Sequence, residues 1–144
     1  MNNQKYNLDH VLLVEDDKGK TEFFLTENIY SIGRAPKRDI RIYSPFVSRY
    51  HATLLRHQNE QSNVYYEIID GDPMGSMLSS NGLMINGHQV YSHQLKHGDK
   101  IVFGPAVFAI YHNLHRLVSR SNLNEEEVDT LIIDKEMKKI RSNE

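Results

Sequence analysis

Strand-like runs alternate with turn-forming residues from residue 8 to residue 112, roughly one run every 10 residues, and this rhythm limits the fold more than any other feature of the chain. The runs are LDHVLLVE (8–15), TEFFLT (21–26), NIYSIGR (28–34), IRI (40–42), SRYHATLLR (48–56), VYYEIID (64–70), GLMING (82–87), HQVYS (88–92), LKHGDKIVFG (95–104) and AVFAIYH (106–112). Between them lie Asp16-Asp17-Lys18-Gly19, the polar run APKRD, the Ser44-Pro45-Phe46 break, HQNEQSN (57–63), GDPMGSMLSS (71–80) and Asn86-Gly87. Gly, Pro, Asn and Asp at those places turn the chain, through positive φ, fixed φ or side-chain bonds to the local backbone. No helical period intervenes, so the pattern predicts an all-β fold, a sandwich of two antiparallel sheets, with a hairpin around Asp16–Gly19 and a second turn at Asn86-Gly87.

The pattern changes after residue 112. Residues 121–144 contain neither glycine nor proline. Asn124 and Glu127 stand in capping-box spacing. Glu125, Glu126 and Glu127 open the segment and Lys138, Lys139 and Arg141 close it, the charge order that suits a helix dipole. Val128, Leu131, Ile132 and Lys135 follow at helical spacing. The expected organisation is a β-domain over 1–112, then a linker and an appended C-terminal helix over 113–144. A length of 144 residues fits one such domain, and a hydrophobic fraction of 39% allows a modest core.

Composition excludes several functions. With no cysteine, the chain has no disulfide, thiol nucleophile, iron–sulfur site or cysteine-based zinc site. There is no GxSxG elbow, P-loop or GxGxxG, so neither a hydrolase nor a nucleotide enzyme is indicated, and no cofactor is implied. His93 with His97, and His112 with His115, have close spacing but no carboxylate partner on a helix, so no metal site is expected. No apolar run reaches a membrane span, and the first ten residues lack a signal-peptide core, so the expected location is cytoplasmic. A net charge of -2 argues against nucleic acid or membrane as partner. Tyr43, Phe46 and Tyr50 among arginines leave an RNA-stacking surface as a minor alternative.

Local charge is far less even than net charge. Between Ser31 and Gln58 lie six cations, Arg34, Lys37, Arg38, Arg41, Arg49 and Arg56, against one acid, Asp39. From His57 to Leu95 there is no lysine or arginine, and Glu125–Glu136 holds six acids and one lysine. A basic cluster on loops attracts anions.

Motifs sharpen that expectation. Gly33-Arg34 ends one run, Ser48-Arg49-Tyr50-His51 opens another, and Ser80-Asn81-Gly82 and Asn86-Gly87 flank a third. GR, then SxxH, then two NG pairs, spread over residues 6–112, resembles the forkhead-associated (FHA) domain. The resemblance implies an FHA-like β-sandwich of about eleven strands whose loops at one end bind phosphothreonine peptides. It implies phosphate contacts from Arg34, Ser48, Arg49 and Ser80 and a peptide-backbone contact from Asn81. It also implies a bracing role for His51, and Gly33, Gly82, Asn86 and Gly87 as turn formers supporting the loops. These residue types suit the chemistry. A phosphothreonine carries close to two negative charges and strong acceptor oxygens. Arg34 supplies a planar fork, Ser48 a hydroxyl and a backbone N–H, Arg49 a second cation, Ser80 a further hydroxyl, and Asn81 an amide that both donates and accepts.

Two departures from the family pattern stand out. Ten residues separate Asp70 from Asn81, so an extra GDPMGSML lies beside the expected binding edge. Leu83 follows the first NG where the family often has threonine, a change expected to act on packing. The implied function is a non-enzymatic, stand-alone bacterial-type adaptor, its partner a phosphothreonine protein made by a Ser/Thr kinase. The alternative is a phosphate-independent scaffold that self-associates through Val128, Leu131 and Ile132 of the tail helix. Thr130 in EEEVDTLIID is a candidate phosphosite, placed to occupy the chain's own pocket or that of a second copy.

Overall fold

The computed structural model describes residues 9–114. The proposed tail helix and Thr130 lie outside the described residues. Eleven strands form among the described residues: β1 (His10–Asp16), β2 (Gly19–Phe24), β3 (Ile29–Gly33), β4 (Ile40–Arg41), β5 (Ala52–Gln58), β6 (Val64–Asp70), β7 (Met84–Ile85), β8 (His88–Gln89), β9 (Ser92–Gln94), β10 (Lys100–Gly104) and β11 (Val107–Asn113). They make a six-stranded sheet in the order β2-β1-β11-β10-β7-β8 and a five-stranded sheet in the order β4-β3-β5-β6-β9.

Alternate side chains along a strand point to opposite faces, and the core follows that period. Leu12 and Val14 of β1, Ile101 and Phe103 of β10, and Val107, Ala109 and Tyr111 of β11 meet Ala52 and Leu54 of β5 and Tyr66 and Ile68 of β6 in one buried cluster. Leu83 is fully buried in it, so the departure from the family's threonine is a packing position.

The Asp16–Gly19 hairpin and the Asn86-Gly87 turn form where the sequence predicts them. Three details differ. β3 and β4 pair in parallel, through Ile32↔Ile40 and Gly33↔Arg41, where antiparallel sheets are expected. A parallel return over the short loop 34–39 is possible because β4 is only two residues long and the loop is drawn shut. Asp39 Oδ2 accepts from both Ser31 N and Ser31 Oγ, and Asp39 N donates back to Ser31 Oγ at 3.0 Å. The run SRYHATLLR becomes strand only at Ala52, because Ser48–His51 turns its polar groups toward neighbouring loops. The run LKHGDKIVFG becomes strand only at Lys100, because Asp99 Oδ2 accepts Lys96 N at 2.8 Å and Asp99 N donates to Lys96 O, closing a turn.

Register decides where function can sit. Ile32 pairs with Ala52, and Ala52 with Asp70, so the end of β3, the start of β5 and the end of β6 form one row across the sheet. Loops 34–39, 42–51 and 71–83 therefore emerge at the same end of the sandwich.

Candidate phosphopeptide site

Gly33 is where the first two loops touch. A Cβ built there would lie 2.2 Å from the Arg49 carbonyl oxygen and 2.9 Å from that of Ser48, so only glycine allows this approach. Arg34 N then donates to Ser48 O at 2.9 Å, Ala35 N to Arg49 O at 3.3 Å, and Ile42 N to Gly33 O at 2.8 Å. The Arg34 side chain is exposed, with Nε donating to Val47 O at 2.9 Å. One edge of the guanidinium is thus fixed to the protein, and among the described residues its two terminal nitrogens keep their donors for another acceptor.

His51 joins all the loops. It is fully buried, packed edge-on against Phe103. Nδ1 accepts the N–H of Ser48 at 3.0 Å, and Nε2 faces the Gly82 carbonyl at 2.7 Å. Those partners set the tautomer: Nε2 carries the proton and the ring is neutral. Burial holds its pKa below the ordinary 6.5, against the opposing pull of the Gly82 carbonyl and of Asp70. The Ser48 N–H, which the sequence offers as a ligand donor, is committed to this ring.

The Ser48 hydroxyl has the opposite arrangement. Its oxygen accepts the N–H of Ser80 at 2.8 Å, so its own hydrogen is left for a further acceptor. Asn81 Nδ2 donates to the Phe46 carbonyl at 2.6 Å, so its amide oxygen is left to accept. The loop that carries these residues is held by Ser79, whose N donates to Asp70 Oδ1 at 2.8 Å and whose Oγ accepts Gly82 N at 2.9 Å. Gly82 has φ +82 and closely abuts the Gln89 amide. Asn86, at φ 51, bonds Asp99 Oδ1 through Nδ2 and accepts Lys100 N, so Asn86 and Gly87 shape the β7–β8 hairpin away from the cluster.

The structure therefore gathers Arg34, Ser48, Ser80 and Asn81 around one set of loop-to-loop bonds, with Gly33, His51 and Gly82 behind them. Arg49 sits to one side. With Lys37, Arg38, Tyr50 and Met77 it lines an adjoining open groove of about 410 Å³. Lys37 and Arg38 belong to the basic cluster visible in the sequence, yet no motif marks them as lining a groove. Ser79 and Asp70 also carry no signal beyond their turn position. His93 faces Asp99 Oδ2 at 2.9 Å and His97 Nδ1 accepts Asn113 N, which gives these histidines structural partners.

An all-β sandwich that carries a cationic, hydroxyl-rich cluster on the loops at one end belongs to the class of loop-based binding domains. The FHA domain profile matches residues 30–104, and the chain belongs to the FHA family. It is similar to the Slr1951 protein of Synechocystis, with 50% identity and a TM-score of 0.68, covering 72% of this chain and 96% of that one. It is also 38% identical over 100 residues to the Synechocystis protein sll1895; the match takes in 69% of this chain but spans only 14% of that relative's length. The yeast Dun1 FHA domain, solved with a doubly phosphorylated phosphothreonine peptide derived from Rad53, is 27% identical, with a TM-score of 0.56 and 72% of each chain covered. Among the described residues no helix is long and apolar enough to cross a membrane.

Proposed function

We propose that the chain is a phosphothreonine-peptide-binding adaptor, with a binding and not a catalytic role. One observation carries this reading: the Ser80 N–H bond to Ser48 Oγ joins two loops and leaves the Ser48 hydroxyl hydrogen beside the Arg34 loop for an anion. Arg34 supplies the fork to the phosphate and the hydroxyls of Ser48 and Ser80 complete its shell. Asn81, steadied by Phe46 O, holds the peptide backbone. Arg49 adds positive field from the groove. Membership of the FHA family and likeness to a domain solved on a phosphothreonine peptide support the same reading. A few charge-assisted bonds of about 1.5–3 kcal/mol each bring the affinity to about micromolar, or ~8 kcal/mol. The partner is a protein phosphorylated by a Ser/Thr kinase.

The test is titration of a phosphothreonine peptide library against the full chain, with unphosphorylated copies as controls. Binding that needs the phosphate and disappears in Arg34→Ala, while the variant keeps its circular-dichroism spectrum, is expected. Equal affinity of Arg34→Ala and parent would overturn the assignment.

A further inference from the structure

The groove beside the Arg34 cluster brings three cations together, and among the described residues no acid is paired with them. Lys37 and Arg38 come from loop 34–39, Arg49 from loop 42–51, and Met77 forms a wall from the extra residues of loop 71–83. The one acid of the Ser31–Gln58 stretch is turned elsewhere, since both bonds accepted by Asp39 Oδ2 come from Ser31. No ion pair among the described residues involves Lys37, Arg38 or Arg49.

The groove is also built to hold its shape. The Arg38 guanidinium lies over the Tyr50 ring, 4.3 Å from its centroid. The Tyr50 hydroxyl is hydrogen-bonded to Thr53 Oγ1 at 3.2 Å, and buried Thr53 donates to the Gly71 carbonyl at 2.8 Å, where loop 71–83 begins. Arg38 Nε is buried with no hydrogen-bond partner among the described residues. A cation stacked on a tyrosine face, next to two cations that form no ion pair among the described residues, favours an anion over a neutral guest. A volume of about 410 Å³ admits a carboxylate or phosphate together with bridging waters. Ala35 N donates to Arg49 O directly after Arg34 N donates to Ser48 O, so the groove starts one residue from the phosphate cluster.

From these observations we infer a second anion subsite. The Lys37–Arg38–Arg49 groove takes an acidic side chain of the peptide whose phosphothreonine sits at Arg34, either a carboxylate or a second phosphate. This rests on the phosphothreonine reading above and adds to it a preference for doubly anionic ligands.

The experiment compares three peptide sets on the full chain by fluorescence anisotropy. All share one phosphothreonine in neutral flanks; one set adds a glutamate walked along both flanks, another adds a second phosphothreonine likewise. At one or more positions the added anion tightens binding about tenfold, the equivalent of one charge-assisted bond reduced by solvent screening. Lys37→Ala and Arg38→Gln, outside the Arg34–Ser48–Asn81 cluster, keep the affinity of the singly phosphorylated peptide within about threefold but lose that gain. A gain from phosphate and not from glutamate would assign the groove to a second phosphate; a gain from both would assign it to acidic flanks in general. If the single phosphothreonine binds in an Arg34-dependent way and no added anion matters at any position, the subsite is wrong and the primary reading stands. If the single phosphothreonine peptide itself does not bind, the primary reading falls and the subsite with it.

Discussion

His51 accepts the backbone N–H of Ser48 at 3.0 Å, a role that only a neutral imidazole can fill. Protonation would place a second N–H against that donor and break the brace beneath the binding loops. Burial lowers the native pKa below 6.5, whereas the unfolded chain titrates near that value. The sign follows from which state binds the proton. Below 6.5 the unfolded state takes it up first, so this group's contribution to stability is intact above 6.5 and lost as pH falls toward the native pKa. The slope from one such group is at most about 1.4 kcal/mol per pH unit. Urea unfolding on either side of that pH should show a falloff on the acid side that is missing from His51→Gln. A variant with the same acid-side slope as the parent would refute the neutral brace.

Gly33→Ala should harm both fold and site. The new Cβ would sit 2.2 Å from the Arg49 carbonyl oxygen, and that oxygen is backbone, fixed by its bond to Ala35 N. Forcing the loops apart costs about 1–3 kcal/mol. For a domain of this size that lowers the melting temperature by roughly 4–8 °C per kcal/mol. Differential scanning calorimetry measures the drop, and an unchanged transition would show that the loops part freely.

Much of this was legible in the sequence, and what was not has a common cause. The Asp16–Gly19 hairpin and β6 over Val64–Asp70 follow from local turn chemistry and a β-branched, aromatic run. The cluster of Arg34, Ser48, Ser80 and Asn81 could be named from the order of the GR, SxxH and NG motifs through its resemblance to the FHA pattern. The parallel β3–β4 pair could not, since it depends on a clamp between Ser31 and Asp39 across a loop. Nor could the commitment of the Ser48 N–H to His51, or the cationic groove, which exists only once register aligns Ile32, Ala52 and Asp70. Long-range partners decide these features, and a linear pattern carries no record of them.

Asn81 separates a structural from an electrostatic effect. Its Nδ2 donates to Phe46 O at 2.6 Å from an exposed position, so Asn81→Ala should leave stability within about 1 kcal/mol of the parent. Phosphopeptide affinity should nevertheless fall about tenfold or more as the backbone contact is lost. Asn81→Asp should fall further, because it sets a carboxylate against the Phe46 carbonyl and beside the incoming phosphate. Isothermal titration of both variants orders them, and an aspartate variant that binds as well as the alanine one would place the phosphate away from this residue.

Asp72 holds the long loop that carries Met77 to the groove. Its carboxylate accepts Ser76 Oγ and Met77 N, each at 2.7 Å. Those bonds, the Ser76 hydroxyl foremost, keep its pKa below the usual 3.8, so this carboxylate's hold on the loop is complete above that value and weakens only as pH falls through the lowered pKa. Asp72→Ala should release the loop at neutral pH. Met74 and Leu78, already exposed within it, then become sites of faster proteolytic cleavage while the global unfolding transition stays in place. The gain from a second anion should also shrink, because Met77 no longer closes the groove. Limited proteolysis of the variant beside the parent, followed by mass spectrometry of the fragments, reads the first effect. Equal cleavage rates in the two would mean that the backbone bonds, Asp72 N donating to Met77 O at 3.2 Å and Gly75 N donating to Asp72 O at 3.0 Å, hold the loop without the carboxylate.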